Sequence, residues 1–213
     1  MVFPERQSLA TRLAEGAAQA GLSLDDGAVD ACLDFLELLF KWNRVHNLTG
    51  PITTADAVSR HLLDSLVIAP LLRGERALDI GSGAGFPGLP LAIAQPTVDW
   101  TLLDSRVKRV GFLRQACARL KLPRVRIEHC RVENYRPNRN FDTLVTRAVA
   151  ALPTLVGMTE HLRDDGVRLI VMKGTFPEAE LKEVSAELRA RMEVVRLNVP
   201  GLDAERHAVI LDN

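Results

Sequence analysis

Arg76-Ala77-Leu78-Asp79-Ile80-Gly81-Ser82-Gly83-Ala84-Gly85-Phe86-Pro87-Gly88 opens as a short apolar strand and then packs four glycines into eight residues. It runs on into Leu89-Pro90-Leu91-Ala92-Ile93-Ala94, a helical composition. Glycine has no Cβ, so the chain can turn tightly there and bring bare backbone against a ligand. A strand, a glycine turn and a helix start together form a nucleotide-type binding corner.

Downstream of this corner, apolar runs and helical stripes alternate. Strands are expected at 76–80, 98–103, 125–129, 141–146 and 167–172, with helices at about 87–95, 106–120, 151–163 and 177–192. Two final strands, 194–199 and 207–211, flank a short Pro200-Gly201 turn. Long crossovers predict an α/β fold with a doubly wound, mostly parallel seven-stranded sheet. The closely spaced last pair predicts an antiparallel terminal hairpin.

Upstream, the pattern is helical. Leu9, Leu13, Ala17 and Ala20 form one stripe that stops at Gly21. Val29, Cys32, Leu33, Leu36, Leu39 and Phe40 form a second, and Leu62, Leu66 and Ala69 belong to a third. The stretch Trp42-Asn43-Arg44-Val45-His46-Asn47-Leu48-Thr49-Gly50-Pro51 reads as an irregular connection. We therefore expect an N-terminal helical extension, 1–73, followed by the corner-bearing domain, 74–213.

Composition narrows the class. The chain has 213 residues and a 47% hydrophobic share, enough for a sizeable core. No apolar run approaches the roughly 20 residues of a membrane span. The first residues lack a basic-then-apolar signal pattern. Cys32, Cys117 and Cys130 are scattered, which favours a reducing cytosol and argues against a zinc site. The formal net charge is zero. Residues 106–147 nevertheless hold twelve Lys and Arg against three acids, so the remainder of the 27 bases and 27 acids is strongly acidic. The basic middle is a candidate phosphate-binding surface.

Two cofactor frames fit the corner. Residues 83–88 match the Gly-x-Gly-x-x-Gly dinucleotide pattern, with Asp104 at a ribose-binding distance in sequence. That frame would make the chain a nicotinamide-binding oxidoreductase. Pro87 and Pro90, however, sit where that pattern wants its helix under way. The frame Asp79-x-Gly81-x-Gly83-x-Gly85, directly off the strand, matches S-adenosylmethionine-dependent methyltransferases of class I, Rossmann-like architecture. Here Gly81, Ser82, Gly83 and Gly85 would approach the cofactor, and Asp104 would accept hydrogen bonds from ribose hydroxyls.

Several further motifs accompany this frame. They are Trp42-Asn43-x-x-x-Asn47-Leu48-Thr49, Arg60-His61-x-x-Asp64-Ser65, Leu102-Leu103-Asp104-Ser105, and Lys108-Arg109-x-x-Phe112-Leu113. Arg131-Val132-Glu133, Thr146-Arg147-Ala148, Met172-Lys173-Gly174 and Pro200-Gly201-Leu202-x-x-Glu205-Arg206-His207 follow. From about residue 36 to the end, this combination resembles the RsmG (GidB) family of bacterial 16S ribosomal RNA guanine-N7 methyltransferases. The resemblance implies cofactor contacts at Gly81, Gly83, Phe86, Val132, Glu133 and Arg147. It also implies 16S rRNA as substrate, and the neutral overall charge favours an assembling small subunit over naked RNA. A cytoplasmic enzyme without metal is expected from the cysteine pattern, and a monomer by default. A methyltransferase for a non-RNA substrate is the competing reading within the class.

Guanine N7 has a lone pair and no proton to remove, so no general base is required. Positioning supplies the acceleration. Arg147, Lys173 and Arg131 are candidates to hold RNA phosphates or guanine O6. Asn43, Asn47 and His61 are candidates to line the substrate pocket, with Lys108 and Arg109 contributing from the basic stretch.

Overall fold

The computed structural model describes residues 3–213. Met1 and Val2, which begin the expected 1–73 extension and the segment read for a signal pattern, lie outside the described residues. Seven strands form one sheet: β1 (Arg76–Ile80), β2 (Asp99–Leu103), β3 (Val125–Glu128), β4 (Thr143–Arg147), β5 (Arg168–Lys173), β6 (Met192–Arg196) and β7 (His207–Asp212). Their order is β3-β2-β1-β4-β5-β7-β6. The first five pair in parallel. β7 lies antiparallel between β5 and β6. This is the expected doubly wound sheet, and every expected strand is present.

The inner strands are apolar on both faces because both faces are covered. Leu102, Val145 and Ile170 share one core with the N-terminal helices α1 (Arg6–Gln19) and α2 (Asp26–His46), and with α5 (Gly88–Ala94) and α6 (Val107–Leu120). Leu78, Ile80, Leu144 and Leu169 pack on the other side with Leu152 and Leu155 of α7 (Leu152–Thr159).

Three elements differ from the sequence reading. First, α2 continues to His46, so Trp42 and Asn43 are helical rather than irregular. Trp42 packs edge-on against Phe112, and its Nε1 donates to Gln115 Oε1 at 2.6 Å. Asn47 ends the helix at φ 47°, and Asn43 Oδ1 accepts from Thr49 N at 2.8 Å. Second, the expected helix 177–192 is two short ones, α8 (Glu178–Glu183) and α9 (Ala186–Arg189). The chain extends at Val184 to bury that side chain in the core, and Ser185 caps the restart by accepting from Leu188 N. Third, the link between β6 and β7 is the ten-residue loop 197–206, not a short turn.

Between α2 and β1 the chain passes through α3 (Thr54–Ala57), a π-helical turn (Val58–Leu63) and α4 (Asp64–Leu66). Such wide turns occur frequently at functional sites.

The β1–turn–α5 corner is fixed by a buried carboxylate. Asp79 Oδ2 accepts from Gly88 N at 3.0 Å. A Cβ at Gly88 would lie 2.6 Å from that oxygen, a contact real side chains do not make. Gly88→Ala should therefore cost about 1–3 kcal/mol by overpacking, read as a lower urea midpoint. An unchanged midpoint would show that the corner is looser than described.

Candidate active site

The glycine turn lies at the carboxyl edge of the parallel strands, where open α/β sheets place their ligands. Its geometry uses three left-handed glycines: Gly81 at φ 69°, Gly83 at 59° and Gly85 at 93°. They have different surroundings. A Cβ on Gly85 would strike Leu89 and Phe35, so Gly85 faces the core. A Cβ on Gly83 would meet little beyond the Arg109 guanidinium at 3.7 Å, so this backbone is bare on its outer side. Over Gly81 lies the Val149 side chain, from the loop after β4. In that loop Ala148 holds φ 54°, a strained value for a residue with a Cβ. Such strain collects at functional sites.

Five of the turn's N–H groups are already engaged. Gly81 and Ser82 donate to Leu103 O at 2.8 and 3.0 Å, and Gly85 and Phe86 to Ser82 O at 2.8 and 3.1 Å. Gly83 N donates to Asp104 Oδ2 at 2.9 Å. Asp104 is buried at the end of β2. Its other oxygen accepts from Arg106 N at 2.8 Å, and Arg109 reaches Oδ2 at 3.3 Å. The Ser82 hydroxyl donates to Asp79 O at 3.0 Å and is buried.

Beside the turn opens a cavity of about 1040 Å³. Arg60, His61, Asp64, Arg147, Lys173 and Arg206, with Thr53 and Asp56, give it its polar lining. Phe86 connects the two places. His61 stacks on its ring with centroids 4.7 Å apart, and the Arg147 guanidinium lies 5.3 Å from its centroid.

One buried carboxylate organises the cavity's cations. Asp64 accepts from Arg147 Nη1 at 2.9 Å through one oxygen and from Arg206 Nε at 2.7 Å through the other. Its side chain is only 4% exposed, while both arginines keep some solvent contact. Lys173 is paired as well, with Glu180 Oε2 at 2.7 Å. Glu180 also accepts from Leu152 N at the start of α7. His61 directs Nδ1 at Arg60 O, 3.1 Å away. Its pKa is pushed down to about 4, first by burial and then by the Arg147 charge, so it is neutral at pH 7. Among the described residues its buried Nε2 has no partner.

The residues expected at the site therefore fall into three groups. Gly81, Gly83, Phe86, Asp104 and Arg147 converge at the turn, and His61 and Lys173 line the cavity next to it. Val132 is buried in the short helical turn after β3, and Glu133 beside it is exposed. Lys108, in the first turn of α6, and Arg131, after β3, are exposed and do not line the cavity. Neither do Asn43, spent on closing the α2 terminus, and Asn47. Of the twelve bases in 106–147, Arg147 alone lines the cavity.

Arg60, Asp64 and Arg206 complete the lining without having been expected there. Asp64 had a signal: an acid within the apolar run Leu62-Leu63-Asp64-Ser65-Leu66 needs a cation when buried. Arg206 had none, because its arrival depends on the path of the 197–206 loop.

Two outcomes are expected. Asp64→Asn removes one charge-assisted acceptor and should lower stability by about 1–3 kcal/mol. Denaturation equal to that of the unaltered chain would contradict the clamp. Asp79 is pushed up from 3.8 to about 7, chiefly by burial. A raised native pKa means that the folded chain keeps a proton the unfolded chain has lost, so this group's contribution to stability falls as pH rises from about 4 to 7. Asp79→Asn should flatten that part of the stability–pH curve. An identical slope in both proteins would contradict the assignment.

The same architecture occurs in solved methyltransferases. A SAM-dependent O-methyltransferase from Thermotoga maritima matches with TM-score 0.54 and 17% identity, covering 82% of this chain and 71% of that one. The Pyrococcus abyssi tRNA (uracil-54, C5)-methyltransferase matches with TM-score 0.54 and 18% identity, over 76% of this chain and 40% of that one. At such identities the likeness is one of fold. Sequence relatives are nearer. Ribosomal RNA small subunit methyltransferase G of Coxiella burnetii is 43% identical over 202 residues, covering 95% of this chain and 97% of the relative. The Laribacter hongkongensis protein of the same name is 43% identical over 204 residues, covering 96% and 98%. The family model for GidB, rRNA small subunit methyltransferase G, matches residues 29–209. With the carboxyl-edge turn and its cavity, this match places the chain in the GidB family of rRNA small subunit methyltransferases G.

Proposed function

We propose that this chain transfers the methyl group of S-adenosylmethionine to N7 of a guanine in 16S rRNA. The observation that carries the reading is the juxtaposition of an open glycine turn with a cation-lined cavity in a GidB-family chain.

The turn fits this cofactor better than a dinucleotide. A pyrophosphate needs backbone N–H groups aimed outward. Those of Gly81, Ser82, Gly83, Gly85 and Phe86 donate inward to protein acceptors. A cofactor without phosphate asks only for bare backbone and acceptors. Gly83 supplies the backbone. Asp104 Oδ1, which accepts only from Arg106 N, retains a lone pair for a ribose hydroxyl. Glu133 and Val132, after β3, would face the adenine, and Gly81, Phe86 and Arg147 the methionine end. When bound, the cofactor supplies an electrophilic methyl on sulfonium sulfur.

The chain's own residues then position the base. N7 attacks through an existing lone pair, so no side chain has to remove a proton. Arg147 is held by Asp64 over Phe86, where it borders both turn and cavity. Lys173 and Arg206 present cations to guanine O6 or to a phosphate. Arg131, Lys108 and Arg109 extend the positive surface beyond the cavity. The target base must be accessible in the folded RNA or turned out of its stack to reach the site. A neutral chain with a localised basic face suits a structured partner, an assembling small subunit rather than bare RNA. We take the enzyme to be a cytoplasmic monomer.

Incubation with labelled donor and 16S rRNA from a strain lacking the modification should place label on one guanine, at N7. Label on another atom or on no RNA would refute the reading. Particles should be methylated faster than protein-free transcript; equal rates would remove the ribonucleoprotein preference. Lys173→Ala and Arg131→Ala should each flatten the salt dependence of RNA binding by about one unit of log–log slope. Unchanged slopes would take these two residues out of the RNA surface.

A further inference from the structure

The loop after β5 carries a feature that neither the cofactor turn nor the cation clamp uses. The chain has seven Phe, two Trp and one Tyr. Among the described residues, Phe176 is the only one of these ten rings that counts as exposed, at 52%. It stands edge-on to His207, with centroids 5.6 Å apart and planes at 88°. His207 is buried, and its Nδ1 lies 3.0 Å from Gly174 O. A buried, hydrogen-bonded ring thus supports Phe176 from below, and the outer side of Phe176 faces solvent.

The position matters more than the exposure. Gly174, two residues before Phe176, lines the cavity, and so does Arg206, the neighbour of His207. The Arg206 guanidinium comes within 4.0 Å of the Cβ position on Gly174. Its Nε is bound to Asp64 and its Nη1 donates to Glu205 O at 2.8 Å. Among the described residues, no protein acceptor is bonded to Nη2. An exposed aromatic face and an oriented guanidinium thus both lie close to Gly174 at the edge of the cavity. A ring for a base and a guanidinium for a phosphate are the two contacts that bind an unstacked nucleotide.

We propose that Phe176 and Arg206 form a one-nucleotide platform at the cavity mouth, where an unstacked rRNA nucleotide next to the target guanine places its base on Phe176 and its phosphate on Arg206. The proposal rests on the rRNA reading above. It explains why Asp64 holds two arginines: Arg147 serves the turn and Arg206 serves the platform.

The test compares Phe176→Ala, Phe176→Leu and Phe176→Trp with the unaltered chain. It measures 16S rRNA binding, kcat and KM for methylation, S-adenosylhomocysteine binding and melting temperature. Phe176→Ala should weaken rRNA binding about five-fold to a hundred-fold, the loss of one base–aromatic stack. Its S-adenosylhomocysteine affinity and melting temperature should stay unchanged. Phe176→Leu, apolar but not aromatic, should behave like alanine, and Phe176→Trp should restore binding. Arg206→Gln should lower the salt slope by about one unit, whereas Phe176→Ala should leave the slope alone. Phe176→Ala or Phe176→Leu binding rRNA as tightly as the unaltered chain would overturn the platform while leaving the rRNA reading intact. Failure of the unaltered chain itself to bind and methylate rRNA would instead refute the reading beneath it.

Discussion

A single carboxylate, Asp64, ties together three parts of the chain that lie far apart in sequence. It sits on the helical segment before the sheet, and it binds Arg147 at the end of β4 and Arg206 just before β7. These partners lie 83 and 142 residues away. Burying a carboxylate is costly unless it is paired and hydrogen-bonded. Each oxygen of Asp64 meets that demand with its own guanidinium. The helical segment and the sheet consequently share one cavity wall, and two cations project into it at defined places. Neither arginine could be held as firmly by solvent-exposed pairing, where side-chain entropy consumes most of the gain.

The turn follows a complementary logic. Asp79 and Gly88 close it from within, and Leu103 O and Asp104 tie it to β2. Most of its N–H groups are thereby satisfied by the protein, and the backbone at Gly83 is left bare on its outer side. A site built this way offers shape and a few acceptors rather than a nest of donors. That suits a ligand whose recognised ends are a sugar, a base and an amino acid, and it disfavours a pyrophosphate. Phe86 forms the partition: one residue of the turn also supports His61 and Arg147 of the cavity. On the proposed reading, donor side and acceptor side meet across one ring, as methyl transfer between two bound partners requires.

The sheet was legible in the sequence because fully buried strands must be apolar throughout. The turn was legible because its left-handed positions require glycine. Asp104 could be located at the end of β2 by spacing from Gly83, but its three protein partners could not be foreseen. Elements whose form depends on distant contacts were harder to read. The break at Val184 exists to bury one side chain, which a local helical pattern cannot express. The continuation of α2 through Trp42 depends on Phe112 and Gln115, which lie far along the chain. Of the cavity's cations, Arg147 and Lys173 were expected there from the sequence, whereas Arg60 and Arg206 were not. Charge counting drew attention to 106–147, yet most of that charge lies along α6, the β3 edge and the loops beside them. Arg60, Lys173 and Arg206 are scattered in sequence and are gathered only by the fold.

The claim that the glycine turn binds a phosphate-free methyl donor is tested most directly by thermal denaturation with S-adenosylhomocysteine against NAD(H). At about a hundred times its dissociation constant, a ligand of the native state adds about 2.7 kcal/mol of stability. The account predicts a clear rise in melting temperature with S-adenosylhomocysteine and none with NAD(H). Stabilisation by NAD(H) alone would contradict it.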